Sequence, residues 1–137
     1  MMTNVLRLEI VTPEGTTFLE DTDSVTLQAA DGQVTILPGH VRLMTQLTPG
    51  EMVVSQAGQD RFLAVGAGLA LVKGDHIAVL TDMAVSAENI DEAKAEEARQ
   101  RAAARLREKI ADEEVASVNA SLARSLAQLQ VKRRRRA

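Results

Sequence analysis

Apolar and polar residues alternate one by one through the first part of the chain, then recur at spacings of three and four. Leu6, Leu8 and Ile10 fall on one side of an extended stretch and Arg7 and Glu9 on the other. Val5 to Val11 therefore reads as a strand with one buried face. Thr12-Pro13-Glu14-Gly15 turns the chain. Thr16 to Ala29 is interrupted by Glu20-Asp21-Thr22-Asp23, after which Val25 and Leu27 alternate with Thr26 and Gln28 as a second strand. Asp31-Gly32 suits a two-residue hairpin turn with positive φ at both central positions. Val34 to Leu37 forms a short strand that Pro38-Gly39 stops. The result is a tight excursion at a sheet edge, with Gln33 on one side and His40 on the other. Arg42 to Leu47 extends again, and Thr48-Pro49-Gly50 turns. Glu51 to Gln56 and Arg61 to Val65 pair around the loop Ala57-Gly58-Gln59-Asp60. Gly66-Ala67-Gly68 marks a bend or bulge where small residues let backbones approach. Leu69 to Val72 and His76 to Leu80 join through Lys73-Gly74-Asp75. Eight or more short strands with regular turn signals predict an all-β sandwich or flattened barrel.

From Ala87 onward the sequence contains neither glycine nor proline. Ala95, Ala98, Ala102, Leu106 and Ile110 mark one helix face. Acidic residues come early and basic ones late, matching the helix dipole, and Ser86 or Asn89 supplies the cap. Ala111-Asp112-Glu113 offers a break. Val115, Val118, Leu122, Leu126 and Leu129, with Ser125 beside Leu126, then form a second stripe, so the two helices make an antiparallel hairpin. The predicted architecture is an all-β sandwich N-terminal domain over residues 1–87, followed by a C-terminal antiparallel α-helical hairpin over 88–137. The first stripe is mostly alanine. At about 0.8 kcal/mol per buried methyl-sized group, such a face holds its partner weakly. The helices are therefore expected to detach from each other or from the sandwich without unfolding it.

Charge divides at the same place. Residues 1–87 carry ten acidic and four basic side chains, and 88–137 carry nine and twelve. The whole chain of 137 residues has net charge −3, no cysteine, and two phenylalanines as its only aromatics. These totals exclude disulfides, thiolate ligands and thiol nucleophiles, and they argue against stacking on single-stranded nucleic acid. No secretory signal and no membrane-spanning run is visible. The expected setting is cytoplasmic, or peripheral on a larger assembly.

Chemistry-bearing constellations are missing. His40 and His76 lack acidic or cysteine companions at metal-ligand spacing. There is no phosphate-binding Gly-x-x-x-x-Gly-Lys loop and no Gly-x-Ser-x-Gly elbow. Neither catalytic nor metal-binding residues are expected, so the function is binding, coupling or regulation. The basic run Lys132-Arg133-Arg134-Arg135-Arg136 reads as a solvated end, a contact for anionic lipid or nucleic acid, or a contact for an acidic protein surface.

The run Asp31-Gly32-Gln33-Val34-Thr35-Ile36-Leu37-Pro38-Gly39-His40, the Pro49-Gly50 turn, the Gly66-Ala67-Gly68 stretch and the helix start Ile90-Asp91-Glu92-Ala93-Lys94-Ala95 occur in a fixed order. In that order and in a chain of this length, the sequence resembles the epsilon subunit of bacterial F-type ATP synthase over essentially its whole length. The resemblance implies a central-stalk subunit without catalytic activity, peripheral on the cytoplasmic face of the inner membrane. Its sandwich would grip the rotating gamma subunit and rest on the c-subunit ring. Asp31, Gly32 and Gln33, with Pro38, Gly39, His40, Arg42 and Thr45, fall at the c-ring and gamma contacts. The helical hairpin would extend along gamma toward the alpha and beta subunits and hinder ATP hydrolysis, with Arg124, Lys132 and Arg133 meeting beta. Some relatives bind a regulatory ATP on the folded hairpin. Asp91 and Arg101 match that set, while Lys94 stands in place of an arginine and Val85 where an acid is expected. No other cofactor is implied, and no nucleic acid. Relatives usually continue Pro-Gly-His with Ala-Pro, whereas this chain has Val41-Arg42. A rival reading of the residues alone is a β-sandwich protein-binding module with a helical dimerisation tail, which predicts a concentration-dependent dimer.

Overall fold

The computed structural model describes residues 5–135. Ten strands are followed by a 3-10 turn and two helices. The strands are β1 (Leu6–Thr12), β2 (Gly15–Thr22), β3 (Ser24–Ala29), β4 (Gly32–Ile36), β5 (His40–Leu47), β6 (Gly50–Gln56), β7 (Gln59–Val65), β8 (Gly68–Gly74), β9 (His76–Thr81) and β10 (Ala84–Ser86). They lie in the order β10-β7-β6-β3-β5-β8-β9-β1-β2, with β4 attached to β3. Between β3 and β5 the pairing is Ala29 opposite Leu47 alone, so the sheet folds over at that corner into two layers. The layers meet again where Gln56 and Arg61 reach Glu20 of β2, at 3.2 and 3.3 Å. This is the sandwich that the alternation predicts.

The inward set of each strand makes the core. Leu6, Leu8 and Ile10 of β1, Val25 and Leu27 of β3, and Ile77 and Val79 of β9 are fully buried. Each such side chain contributes about 1.5–3 kcal/mol of burial. Phe18 closes one end of this core, and the Arg61 guanidinium lies 5.0 Å from its ring centroid.

Local details differ from expectation at several places. The acidic run Glu20-Asp21-Thr22 does not interrupt the chain. It belongs to β2, whose outward residues pair with Arg7 and Arg61 while Thr22 turns inward and donates to the Leu6 carbonyl at 2.7 Å. The β3–β4 turn is Ala30-Asp31, and Gly32, at φ +125°, opens β4 instead of sitting in the turn. Leu37 lies beyond β4. Gly66-Ala67-Gly68 is indeed a close approach: a Cβ on Gly66 would collide with the Asp82 carboxylate, and one on Gly68 with the Leu80 carbonyl.

The helices are α1 (Glu92–Leu106) and α2 (Asp112–Arg135). Neither Ser86 nor Asn89 caps α1. Ile90 is extended and buried against the sandwich, which delays the helix, and Asp91 accepts a hydrogen bond from the Lys94 N–H at 3.1 Å. The joint ends at Ala111, so Ile110 leaves the α1 stripe, and α2 begins on three acids that suit a helix N-terminus. Leu126 is 47% exposed, and the buried stripe passes through Ser125 to Leu129 instead. Heptad-like spacing of three and four from Val115 leads to residue 125, so the larger neighbour turns to solvent. Arg133 meets Glu92 and Glu96 at one end of the hairpin, and Arg105 meets Glu114 at the other, which makes the two helices antiparallel.

Candidate interaction surfaces

The residues singled out in the sequence do not form one site. They fall on three separate surfaces. The first is the tip of the β3–β4 hairpin. Because β4 pairs with β3 alone, Asp31, Gly32 and Gln33 stand exposed at a free edge. Gln28 Nε2 donates to Gln33 Oε1 at 3.4 Å, which ties the tip side chains across the ladder.

The second surface is the outer side of β5 and β8. Pro38-Gly39 makes the turn into β5: the Gly39 N–H donates to the Gly74 carbonyl at 3.1 Å, and the His40 N–H to the Leu37 carbonyl at 3.2 Å. His40 Nδ1 lies 2.8 Å from the Val41 carbonyl oxygen. On both sides of this turn, apolar side chains face outward. Val41 is 76% exposed, Met44 70% and Leu37 57%. Arg42, Leu43, Met44, Leu71, Val72 and Lys73 line a shallow groove of about 260 Å³. Thr45 is half-buried opposite Ala70. Of the four basic residues before the helices, Arg7 and Arg61 are ion-paired. Arg42 and Lys73, which both line the groove, have no ion pair among the described residues. An apolar strip beside unpaired cations is a surface suited to a partner.

The third surface is the contact between the hairpin and the sandwich. Arg124 reaches Asp82 at 3.0 Å, Gln128 Nε2 lies 3.0 Å from Met83 Sδ, Lys132 donates to the Ala87 carbonyl at 3.1 Å, and Arg135 grips Glu51. These residues lie three or four apart, along one face of α2. Arg124, Lys132 and Arg133 are therefore all engaged within the chain in this arrangement. Beneath them is a small apolar cluster of Ala64, Ile90 and Val131, with Phe62, Met83, Val85 and Ala87 packed around it. Sequence reasoning missed Glu51, Asp82 and Phe62, and it named Arg135 only as part of the basic run. The signal for the acids was the opposite charge balance of the two parts. Arg136 lies outside the described residues.

On α1, Asp91 is committed to the cap, while Lys94 and Arg101 are exposed. Nearby, Glu96 accepts hydrogen bonds from Arg99 at 2.6 and 3.0 Å and from Gln100 at 3.2 Å. The Arg99 hydrogen bonds, then Gln100 and the charges of Arg99 and Arg133, outweigh partial desolvation and hold its carboxyl down at about 2. Among the described residues no three His, Asp or Glu side chains come together as a metal site. No helix among them is long and apolar enough to cross a membrane.

Residues 5–87 match the family described as ATP synthase, Delta/Epsilon chain, beta-sandwich domain, and residues 88–133 match its long alpha-helix domain. The ATP synthase epsilon chain of Hydrogenovibrio crunogenus is 37% identical over 125 residues, covering 91% of this chain and 87% of the relative. The chain belongs to the ATP synthase epsilon-chain family. The epsilon chain of Dehalococcoides mccartyi strain CBDB1 is 39% identical over 132 residues, covering 96% and 94% of the two chains. That of Bacillus subtilis is 36% identical over 110 residues, covering 80% and 83%. Among solved structures, a chain of the Euglena gracilis mitochondrial ATP synthase superposes with TM-score 0.71 at 21% identity, over 90% of this chain and 78% of that one. A chain from the central stalk and c-ring of the Tetrahymena thermophila enzyme gives 0.54 at 11% identity, over 66% and 72%. These two share the fold. Within its family, the chain is a non-catalytic subunit of an ATP synthase.

Proposed function

We propose that the chain couples the rotating gamma subunit to the c-subunit ring of a proton-translocating synthase, at the cytoplasmic face of the inner membrane. Its two working parts are residues 1–87, which hold gamma and the ring, and 88–137, which restrain ATP hydrolysis when extended toward the alpha and beta subunits. The observation that carries this reading is the exposed apolar strip of β5 and β8, flanked by Arg42 and Lys73 and left uncovered by the chain's own helices. The groove, with Pro38, Gly39, His40, Arg42 and Thr45 around it, is assigned to gamma. The Asp31–Gln33 tip is assigned to the ring. On extension, Arg124, Lys132 and Arg133 would leave their present partners and meet beta.

Copurification with the gamma subunit tests the coupling reading. The chain is expected to bind gamma, and a Met44→Asp variant to lose at least about tenfold in affinity, since a charge would face an apolar contact. Failure of the unaltered chain to bind overturns the reading. Truncation after Ala87 in the assembled enzyme tests restraint, with ATPase activity expected to rise; an unchanged rate removes the inhibitory part. Regulatory ATP has Lys94 and Arg101 as its available cations. Calorimetric titration of the chain with ATP tests this: binding that Arg101→Ala abolishes would support it, and no heat in the unaltered chain would exclude it.

A further inference from the structure

The last turn of α2 ends in a feature that neither coupling nor restraint requires. Glu51, on β6, is 6% exposed. Its carboxylate accepts two hydrogen bonds from one guanidinium, Arg135 Nε to Oε2 at 2.8 Å and Nη2 to Oε1 at 2.6 Å. Arg134 Nη1 lies 3.7 Å from the same carboxylate. The Arg135 guanidinium also sits over the Phe62 ring, 3.7 Å from its centroid. A two-pronged hydrogen bond combined with an aromatic face suits arginine specifically. Lysine has no fork to match the carboxylate and no plane to lay on the ring.

The buried apolar part of the same contact is small, Ala64, Ile90 and Val131, with Phe62, Met83, Val85 and Ala87 partly buried around it. The charged contacts therefore have a large share in keeping α2 against the sandwich. Arg124–Asp82 is a further ion pair between the two, and both its members are about one-third exposed. An exposed pair of that kind contributes about 0–1 kcal/mol. The Arg135–Glu51 pair is bidentate and shielded, so screening by salt weakens it less.

We propose that Glu51 and Phe62 form a guanidinium-binding socket on the sandwich, that Arg135 is its resident ligand, and that occupancy of this socket holds the hairpin closed. Withdrawal of the tail leaves a carboxylate beside an exposed ring, a site that another arginine side chain can fill. Anything that binds the tail arginines more tightly, such as a polyanion, opens the hairpin by removing that ligand. The proposal concerns the isolated chain and stands whether or not the rotor assignments above hold.

The sequence has no cysteine, so Gln59→Cys and Gln130→Cys provide a defined label pair on the sandwich and on α2. Energy transfer between the labels in the full-length chain reports closure. At about 50 mM salt the labelled chain is expected to be closed, with transfer falling only in part as salt rises toward about 1 M, because the shielded pair is screened less than exposed ones. Glu51→Gln and Arg135→Ala are each expected to raise the open fraction at least about tenfold at low salt, and Arg135→Lys to raise it by less. Far-UV circular dichroism guards against unfolding; Arg135 lies at an exposed helix end, so its variant remains informative if Glu51→Gln fails to fold. If transfer is unchanged in Arg135→Ala, or if Arg135→Ala opens the hairpin while a folded Glu51→Gln stays closed, the socket is overturned.

Discussion

Gly68 stands where β8 passes so near β9 that no side chain fits between it and the Leu80 carbonyl. Gly68→Ala is expected to cost about 1–3 kcal/mol, because the backbone on the other side cannot swing aside as a flexible side chain would. Urea unfolding of the variant against the parent measures this. Glu96 offers a second test at this scale. Its carboxyl is held at about 2 rather than 4.5, chiefly by Arg99 hydrogen bonds. A depressed carboxylate stabilises the folded form above its ordinary range and loses that contribution as pH falls through the folded value. The Glu96 link is thus expected to be complete above about pH 4.5 and to fade toward 2. A carbon-detected NMR titration should place the midpoint near 2, moving up in Arg99→Ala. Single residues were legible when one physical requirement singled them out. Glycines flanking Ala67 mean close backbones. Glu51 was not legible, because an acid at the start of a strand ordinarily faces water, and its arginine lies 84 positions away.

At the scale of elements, the antiparallel hairpin owes its alignment to charges at both ends and to a narrow stripe between them. Leu129 is buried and Leu126 is not. Leu129→Ala is expected to destabilise the hairpin by about 2–5 kcal/mol. Leu126→Lys should stay within about 0.5 kcal/mol. Thermal unfolding followed at 222 nm distinguishes the two. At the other end, Asp91→Ala removes the α1 cap at a cost of about 1 kcal/mol, visible as faster hydrogen exchange in the first helical turn. Element type was legible along most of the chain because periods of two and of three to four are hard to confuse. The exceptions have a common cause. β2 was hidden by a consecutive polar run that breaks the apolar alternation although Thr22 turns inward, and the α1 cap shifted because Ile90 is drawn into a tertiary contact. Local pattern does not report either.

Across the whole molecule, two parts of opposite charge balance lie against each other through a thin apolar layer and a line of basic side chains. The sandwich core draws on strands before Ala87, so removal of the helices is expected to leave its β-sheet circular dichroism and its cooperative urea transition in place. The two-part architecture was legible from the change of hydrophobic period near Ala87 and the charge split that coincides with it; the way the parts meet was not, since it depends on side chains far apart in sequence. The pairing of β1 with β9 has a consequence for how the chain is made. These strands run parallel, and Arg7 lies beside His76. The strand synthesised first therefore waits for one of the last in its layer, a long loop closure that delays folding. Nascent chains stalled before His76 should remain open to protease, whereas those released beyond Ser86 should resist it. The helices then emerge onto a surface that is already complete.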